Sequence, residues 1–183
     1  MTSLYQGALA ELGDVFDRID DGAVDKAVDM IAAAKTVVVF GGGRERLQIM
    51  GFAMRLFHLG RAVAVEGDMT TPAIGPGDLF VVTCGPGEIS TALALLDVAK
   101  KAGAKVLLIT AQPKGRAASY ADFVLTVPAQ TMADDQGAKT SILPMGSLYE
   151  GALFVLFEVM ILKLRERVHV DPAVMRANHT NLE

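Results

Sequence analysis

The sequence has no tryptophan and only one cysteine, Cys84, among its 183 residues. A single thiol cannot form an intrachain disulfide or a thiolate cluster, so neither is expected. The histidines and carboxylates show no spacing typical of a metal site, and no metal is predicted. Lysine and arginine form no basic stripe and the formal net charge is −4. A nucleic-acid partner is therefore not expected.

Long apolar runs are missing too. The longest covers residues 152–164, ALFVLFEVMILKL, and is interrupted by Glu158. A membrane-spanning helix needs about 20 predominantly apolar residues, so we expect a core or interface helix and no membrane partner. The amino-terminal MTSLYQGALAEL lacks the basic and apolar regions of a secretory signal. Together with the lone thiol, this predicts a cytoplasmic protein.

Aliphatic residues are abundant: 51% of the chain is hydrophobic but only 6% is aromatic. The length suits one domain with a sizeable core. Apolar periodicity predicts helices over 3–19, 22–34, 47–59, 89–102 and 147–167, a short helix near the C-terminus, and strands over 36–40, 62–66, 79–83, 105–110 and 121–127. Residues 128–143 remain as a long loop, and such loops in compact domains are often functional.

Alternating short strands and helices predict an α/β fold, a three-layer αβα sandwich around a five-stranded parallel sheet. We expect one domain over residues 1–183, with amino-terminal helices in 1–34, the core in 35–167 and a tail in 168–183. In the flavodoxin-like strand order 2-1-3-4-5, ligands bind where the first and third strands end side by side. Two Gly-rich turns, GGGRE (residues 41–45) and CGPGE (84–88), follow those strands. Both turns should therefore border one site.

The GGGRE turn can approach a ligand closely, and Arg44 supplies forked, permanently charged donors for an anion. The alternative is a tight turn with solvated arginines. The turn does not match the GxGxxG fingerprint, because Arg46 stands where the last glycine would be. A nicotinamide cofactor is therefore not expected.

Two carboxylates on the predicted helix 147–167, Glu150 and Glu158, are candidates for a general base. Burial would raise the pKa of either one and make it a better base near neutral pH. A surface-facing or ion-paired carboxylate is the alternative for both, and the residues alone do not choose between them.

The remaining nucleophile and histidine candidates have ordinary structural explanations. Cys84 could pair with a histidine, but a small buried thiol at a strand end is far commoner. His58 fits a core or helix-capping position, and His169 follows a charged run that favours solvent. His179 lies in the tail, where terminal residues are often poorly ordered.

Four stretches together resemble the 6-phospho-3-hexuloisomerases, which are sugar isomerase (SIS) domain enzymes: FAMRLFHLG (52–60), MTTPAIGPGDL (69–79), LPMGSLYE (143–150) and NHTNLE (178–183). The resemblance implies a five-stranded αβα sandwich that forms a homo-oligomer, a dimer or more often a tetramer, with active sites at subunit interfaces. It implies isomerisation between a 3-hexulose 6-phosphate and fructose 6-phosphate through an enediol. No metal or organic cofactor is implied.

The resemblance also implies roles for individual residues. Glu150 matches the catalytic base, and His179 matches a tail histidine that reaches a neighbouring subunit's site. The substrate-binding candidates are Gly43, Arg44, Glu45, Arg55, His58, Thr70, Thr71, Cys84, Gly85, Gly87, Glu88, Ser90 and Thr91.

The phosphate-binding loops depart from the family pattern. Family members usually read Gly-Arg-Ser-Gly and Ser-Gly-Ser-Gly-Glu-Thr in the two turns, and four hydroxyl positions become Glu45, Cys84, Pro86 and Ile89 here. Each charge-assisted hydrogen bond contributes roughly 1.5–3 kcal/mol, so several losses together would abolish useful phosphate binding. In addition, Glu45 brings a carboxylate to a site meant for a dianion.

Two interpretations of the substrate follow from this departure. We expect a sugar whose terminal group is neutral or differently charged. The alternative is a rewired anion site that uses Arg46, Ser90, Thr91 and the start of the following helix as donors.

A further hypothesis is a non-catalytic domain that binds a sugar or sugar phosphate and regulates another process. The altered phosphate loop favours it. Against it, no DNA-binding or effector segment is evident in the sequence, and the positions of Glu150 and His179 match the family's catalytic residues.

Overall fold

The computed structural model describes residues 3–137 and 140–182. The helices are α1 (Leu4–Phe16), α2 (Asp21–Ala33), α3 (Glu45–His58), α4 (Ser90–Lys101), α5 (Ser147–Arg167) and α6 (Pro172–Ala177). The strands are β1 (Val37–Gly41), β2 (Val63–Val65), β3 (Leu79–Thr83), β4 (Lys105–Thr110) and β5 (Phe123–Thr126), with a 3₁₀ helix at Arg116–Tyr120. The predicted types and order of the elements are confirmed.

The strands form one parallel sheet in the order β2-β1-β3-β4-β5, which confirms the predicted topology. In this sheet β1 and β3 are neighbours, and their last residues, Gly41 and Thr83, are paired in register. Every residue of both strands is buried, as expected for continuous apolar runs covered on both faces. The two turns that follow these strands therefore begin side by side.

Successive side chains of β1 point to opposite faces of the sheet and join two separate hydrophobic clusters. Val37 and Val39 pack in the larger cluster with helices α2, α3 and α5. Val38 and Phe40 pack in the smaller one, which includes α4 and the 3₁₀ helix. This is the three-layer sandwich that the sequence predicts.

Two helix boundaries differ from the prediction by more than one residue: α1 ends at Phe16, three residues early, and α3 starts early. The start of α3 is the one that bears on the site. The helix begins at Glu45, two residues earlier than predicted, and no side chain caps it. As a result Glu45 lies in the first turn of a helix and not in a loop, which fixes the direction of its side chain towards the sheet. Among the described helices, none is both long and apolar enough to cross a membrane.

Candidate active site

A cavity of about 670 Å³ opens at the carboxyl ends of β1 and β3. Both Gly-rich turns contribute to its wall, as the strand-order argument predicted. The remaining wall comes from the start of α4, the loop before α5 and the first turn of α5. The lining residues are Gly42, Gly43, Arg44, Glu45, Pro86, Ile89, Thr91, Thr131, Met132, Pro144, Met145, Gly146, Ser147, Tyr149 and Glu150.

Glu150 and Arg44 form an ion pair across this cavity. Arg44 Nη2 lies 2.7 Å from Glu150 Oε2 and also donates to Ser147 Oγ at 2.9 Å and to the Met145 carbonyl at 3.3 Å. Burial raises the pKa of Glu150, and the positive charge of Arg44 partly offsets this effect. A carboxylate whose pKa is raised is a better base than a solvated one.

Glu158, the other candidate base, lies outside the cavity. Its Oε1 pairs with Arg55 Nε at 3.2 Å, and both side chains are partly exposed. The pair links α3 to α5. The structure therefore separates two carboxylates that the sequence left equivalent, because only Glu150 faces the cavity.

Glu45 forms a second buried carboxyl group at the cavity floor, with an exposed fraction of 7%. Its Oε2 lies 2.6 Å from Thr83 Oγ1, and the Gly85 amide donates to both carboxyl oxygens at 3.0 and 3.1 Å. Burial raises its pKa from 4.5 to about 7; the Thr83 and Gly85 hydrogen bonds lower it, and the negative charge of Glu150 raises it further. With a pKa of about 7, Glu45 is in part the neutral acid at neutral pH, which reduces the charge repulsion expected from the sequence.

Tyr149 completes this buried group from the first turn of α5. Its hydroxyl donates to the Ile109 carbonyl at 3.0 Å and lies 3.1 Å from Thr83 Oγ1. Burial raises the pKa of Tyr149 well above its usual value, so the phenol stays protonated. Neither Thr83 nor Tyr149 was identifiable from the sequence, because Thr83 ends an apolar strand and Tyr149 has the pattern of a core aromatic residue.

Gly85 allows this close packing. A Cβ at this position would lie 2.9 Å from the Tyr149 ring and 3.0 Å from Glu45 Oε1. Packing against Tyr149 and Glu45 therefore favours glycine at this position, independently of any ligand that the turn binds.

Cys84 is a buried thiol and not a wall of the cavity. Its exposed fraction is zero and it packs in the cluster beneath α4. Burial raises the pKa of the thiol to about 12. Since the thiolate is the reactive form, Cys84 is not a nucleophile at neutral pH.

The other candidates of the CGPGE turn lie behind or beside the cavity. Gly87 has φ +76° and packs against Gly115, and Glu88 pairs with Arg116 at 3.4 Å. Ser90 is exposed at the start of α4, and Thr91 lines the cavity.

A second group of candidates lies at the far end of α3. The His58 and His179 rings stack with their centroids 5.1 Å apart, and the Asn178 side chain donates to the His58 carbonyl at 3.0 Å. A helical rise of about 1.5 Å per residue places His58 roughly 20 Å along α3 from Glu45. Within one chain, His179 and Glu150 are therefore not in the same site.

The Thr-Thr-Pro loop lies outside the cavity as well. Thr70 borders a separate cavity of about 600 Å³ beside α3 and β2. Thr71 donates from Oγ1 to the Val65 carbonyl at 2.7 Å, which ties the loop to the end of β2. Of the predicted site residues, the cavity brings together Gly43, Arg44, Glu45, Thr91 and Glu150.

Residues 30–155 match the model of the SIS domain family. The chain is 37% identical to the 3-hexulose-6-phosphate isomerase of Mycobacterium gastri over 94% of this chain and 86% of that protein. It is 34% identical to the same enzyme of Methylomonas aminofaciens over the full length of both. A crystal structure from Methanococcus jannaschii, interpreted as a 3-hexulose-6-phosphate isomerase, is similar with a TM-score of 0.82 and 26% identity over 96% of this chain and 98% of that one.

Proposed function

The chain belongs to the SIS-domain family of sugar isomerases, and from this premise we propose that Glu150 is the base with which it moves a carbonyl group between adjacent carbons of a sugar. The observation that carries the proposal is the position of Glu150. Two carboxyl groups line the cavity, and Glu150 is the one paired with Arg44, at 2.7 Å. Glu45 is instead held by Thr83 and the Gly85 amide.

The chemistry follows from this pair. Glu150 removes a proton from the hydroxyl-bearing carbon beside the carbonyl, and the electron pair forms the double bond of an enediol. The hydroxyl proton passes to the former carbonyl oxygen, and Glu150 returns its proton to the former carbonyl carbon. Arg44 already contacts three oxygen acceptors, so its guanidinium can stabilise the negative charge that develops on the sugar oxygens.

Glu150→Gln tests the base, with Glu158→Gln as the matched control on the same helix. The assays are isomerisation and solvent deuterium uptake at the carbon beside the carbonyl, for 3-hexulose 6-phosphate, fructose 6-phosphate and the corresponding free sugars. Glu150→Gln should lower kcat about 10²–10⁴-fold, the usual contribution of general base catalysis. Glu158→Gln should change it by less than about threefold, because exposed ion pairs contribute little.

Two outcomes would contradict the proposal. An unchanged kcat in Glu150→Gln would exclude this residue as the base. Binding of sugars by the unmodified protein without any isomerisation or deuterium uptake would instead support a non-catalytic sugar-binding domain.

We also infer that the helices before and after the matched region belong to the same domain. Val15 of α1 and Val24 of α2 are buried in the cluster that covers one face of the sheet. At the other end, α6 packs on α3 through Asn178 and His58. A cytoplasmic location, suggested by the single reduced thiol, stays a prediction.

The protein should act as a homo-oligomer, with a tetramer favoured over a dimer. Large apolar side chains remain exposed on two neighbouring helices, Met50 and Phe57 on α3 and Phe154 and Leu162 on α5. Exposed large apolar side chains on neighbouring helices are typical of protein interfaces when they form a patch.

A further inference from the structure

Four oxygen atoms run in a line from the cavity floor into the sheet: Glu45 Oε2, Thr83 Oγ1, Tyr149 OH and the Ile109 carbonyl. The three contacts between them measure 2.6, 3.1 and 3.0 Å. Three hydrogen bonds need three hydrogens, but the two hydroxyl groups supply only two. The Thr83 hydroxyl donates to Glu45 Oε2 and the Tyr149 hydroxyl to the Ile109 carbonyl, which leaves no hydrogen between the two hydroxyl groups. A protonated Glu45 can instead donate to Thr83, and the Thr83 hydrogen then serves the contact with Tyr149.

The same carboxyl group occupies the donors at the end of β3. The Gly85 amide is directed at the two oxygens of Glu45, and the Thr83 hydroxyl lies against one of them. The next residue of the turn, Pro86, has no amide hydrogen. Ile89 adds an apolar side chain to the wall, so within the described part of the chain the donors that remain at this end of the cavity are Thr91 and the uncapped first turn of α4.

The positive charge in the wall of the cavity is already paired with a carboxylate. Among the described lining residues Arg44 is the only cation, and it is paired with Glu150. Arg46 does not line the cavity, because its Nη2 donates to the Glu66 carbonyl at 2.7 Å and its Nη1 lies 3.6 Å from the Glu66 carboxylate. Transferring a phosphate dianion from water into a cavity without unmatched positive charge is strongly unfavourable.

We infer that Glu45 is a specificity-determining residue, and that it selects a sugar whose end at the β1–β3 turns carries an uncharged hydroxyl group in place of a phosphate. A neutral carboxyl group at a cavity floor suits a hydroxyl partner, because its oxygen atoms still accept hydrogen bonds and it does not require a cation. The inference rests on the proposed isomerase function, and it distinguishes this chain from relatives named for a 6-phosphate substrate.

The test compares Glu45→Ser and Glu45→Gln with the unmodified protein. Glu45→Ser frees the Gly85 amide and the Thr83 hydroxyl, whereas Glu45→Gln keeps the shape and the hydrogen-bonding capacity of the side chain. Glu166→Ser, an exposed position near the far end of α5, is the matched control. Each protein is titrated with inorganic phosphate while its unfolding temperature is recorded, because a ligand of the folded state raises that temperature.

The expected result is a phosphate-dependent rise in Tm for Glu45→Ser alone. In the kinetic assay, the unmodified protein should have a higher kcat/KM for a free ketohexose than for its 6-phosphate. In Glu45→Ser the ratio of kcat/KM for the free sugar to kcat/KM for the 6-phosphate should fall about tenfold or more, since two charge-assisted hydrogen bonds to phosphate become available. Glu45→Gln should keep the preference for the free sugar.

Failure of this inference differs from failure of the proposed function. The role of Glu45 is overturned if the unmodified protein isomerises the 6-phosphate better than the free sugar. It is also overturned if phosphate raises the Tm of the unmodified protein as much as that of Glu45→Ser. In both cases the isomerase function stands. A gain of phosphate binding in Glu45→Ser without turnover of any sugar supports that role and overturns the isomerase. If Glu45→Ser does not fold, the kinetic ratio of the unmodified protein decides.

Discussion

At the scale of single residues, the burial of Glu45 should make the stability of the protein depend on pH. Its pKa is about 7 in the fold against an ordinary value of 4.5, so the folded state holds this proton more tightly than the unfolded chain. The free energy of unfolding should therefore fall as the pH rises from about 4.5 to about 7 and level off above that range. The shift corresponds to about 3 kcal/mol, with desolvation as its largest cause.

Urea denaturation at about pH 5 and about pH 8 measures this effect. Between about pH 5 and about pH 8 the free energy of unfolding should fall by about 2–3 kcal/mol less in Glu45→Gln than in the unmodified protein. The control Glu166→Gln should show the same fall as the unmodified protein. The ionisable groups around Glu45 are Arg44 just before α3, Arg46 beside it on α3, Cys84 after β3, and Tyr149 and Glu150 on α5. The substitution alters none of them. An identical drop in Glu45→Gln would mean that the carboxyl is already ionised at the lower pH.

Of the site, the charged pair Arg44 and Glu150 could be predicted from the sequence, but the buried hydrogen-bonded group around Glu45 could not. Arg44 and Glu150 were candidates because a charged side chain beside a Gly-rich turn or an apolar helix is conspicuous. The link from Glu45 through Thr83 to Tyr149 joins three distant parts of the chain, and only the fold brings them together. From sequence, Glu45 suggested an added negative charge; its burial instead favours the neutral acid.

At the scale of elements, the turn after β3 packs so tightly on α5 that Gly85→Ala should be destabilising. The added Cβ would lie 2.9 Å from the Tyr149 ring and 3.0 Å from Glu45 Oε1, so α5 or α3 would have to move. We expect a loss of about 1–3 kcal/mol, the usual effect of overpacking, together with a loss of activity. Thermal and urea unfolding measure the stability change.

Gly13→Ala is the matched control for this substitution. Gly13 lies within α1 and no neighbouring atom lies within 4 Å of a Cβ built there. The change should stabilise the protein by up to about 1 kcal/mol, because alanine favours the helix. Equal effects of the two substitutions would show that the turn can adjust without moving α5.

The elements themselves were largely predictable, since buried parallel strands appear as short apolar runs and their alternation with helices indicates a parallel sheet. The strand order agrees with the flavodoxin-like arrangement that was assumed for five strands. The start of α3 was not predicted. Its apolar periodicity begins only at Leu47, and no side chain caps the helix. The acidic Glu45 in the first turn is a weaker signal for a helix start. The two missed residues of the helix place Glu45 at the cavity floor, which is why the boundary matters for function.

At the scale of the whole molecule, the active site is incomplete within one chain if His179 takes part in catalysis. His179 stacks on His58, at the end of α3 opposite to the cavity. Apolar side chains on the outer faces of α3 and α5 supply a surface for a second subunit. We therefore expect light scattering at micromolar concentration to show a dimer or a tetramer, and a monomer would contradict the shared site.

Mixed oligomers test the shared site directly. Glu150→Gln and His179→Ala should each lower activity when they form homogeneous oligomers. When the two variants are co-expressed, some sites will combine an intact Glu150 from one subunit with an intact His179 from its neighbour, and activity that neither variant has alone should return. His169→Asn serves as the control, because His169 is exposed and its φ of +54° is tolerated by asparagine. If His179→Ala is fully active, the tail has no catalytic role; if the mixed oligomers stay inactive, both residues act within the same chain and the tail must move to reach the cavity.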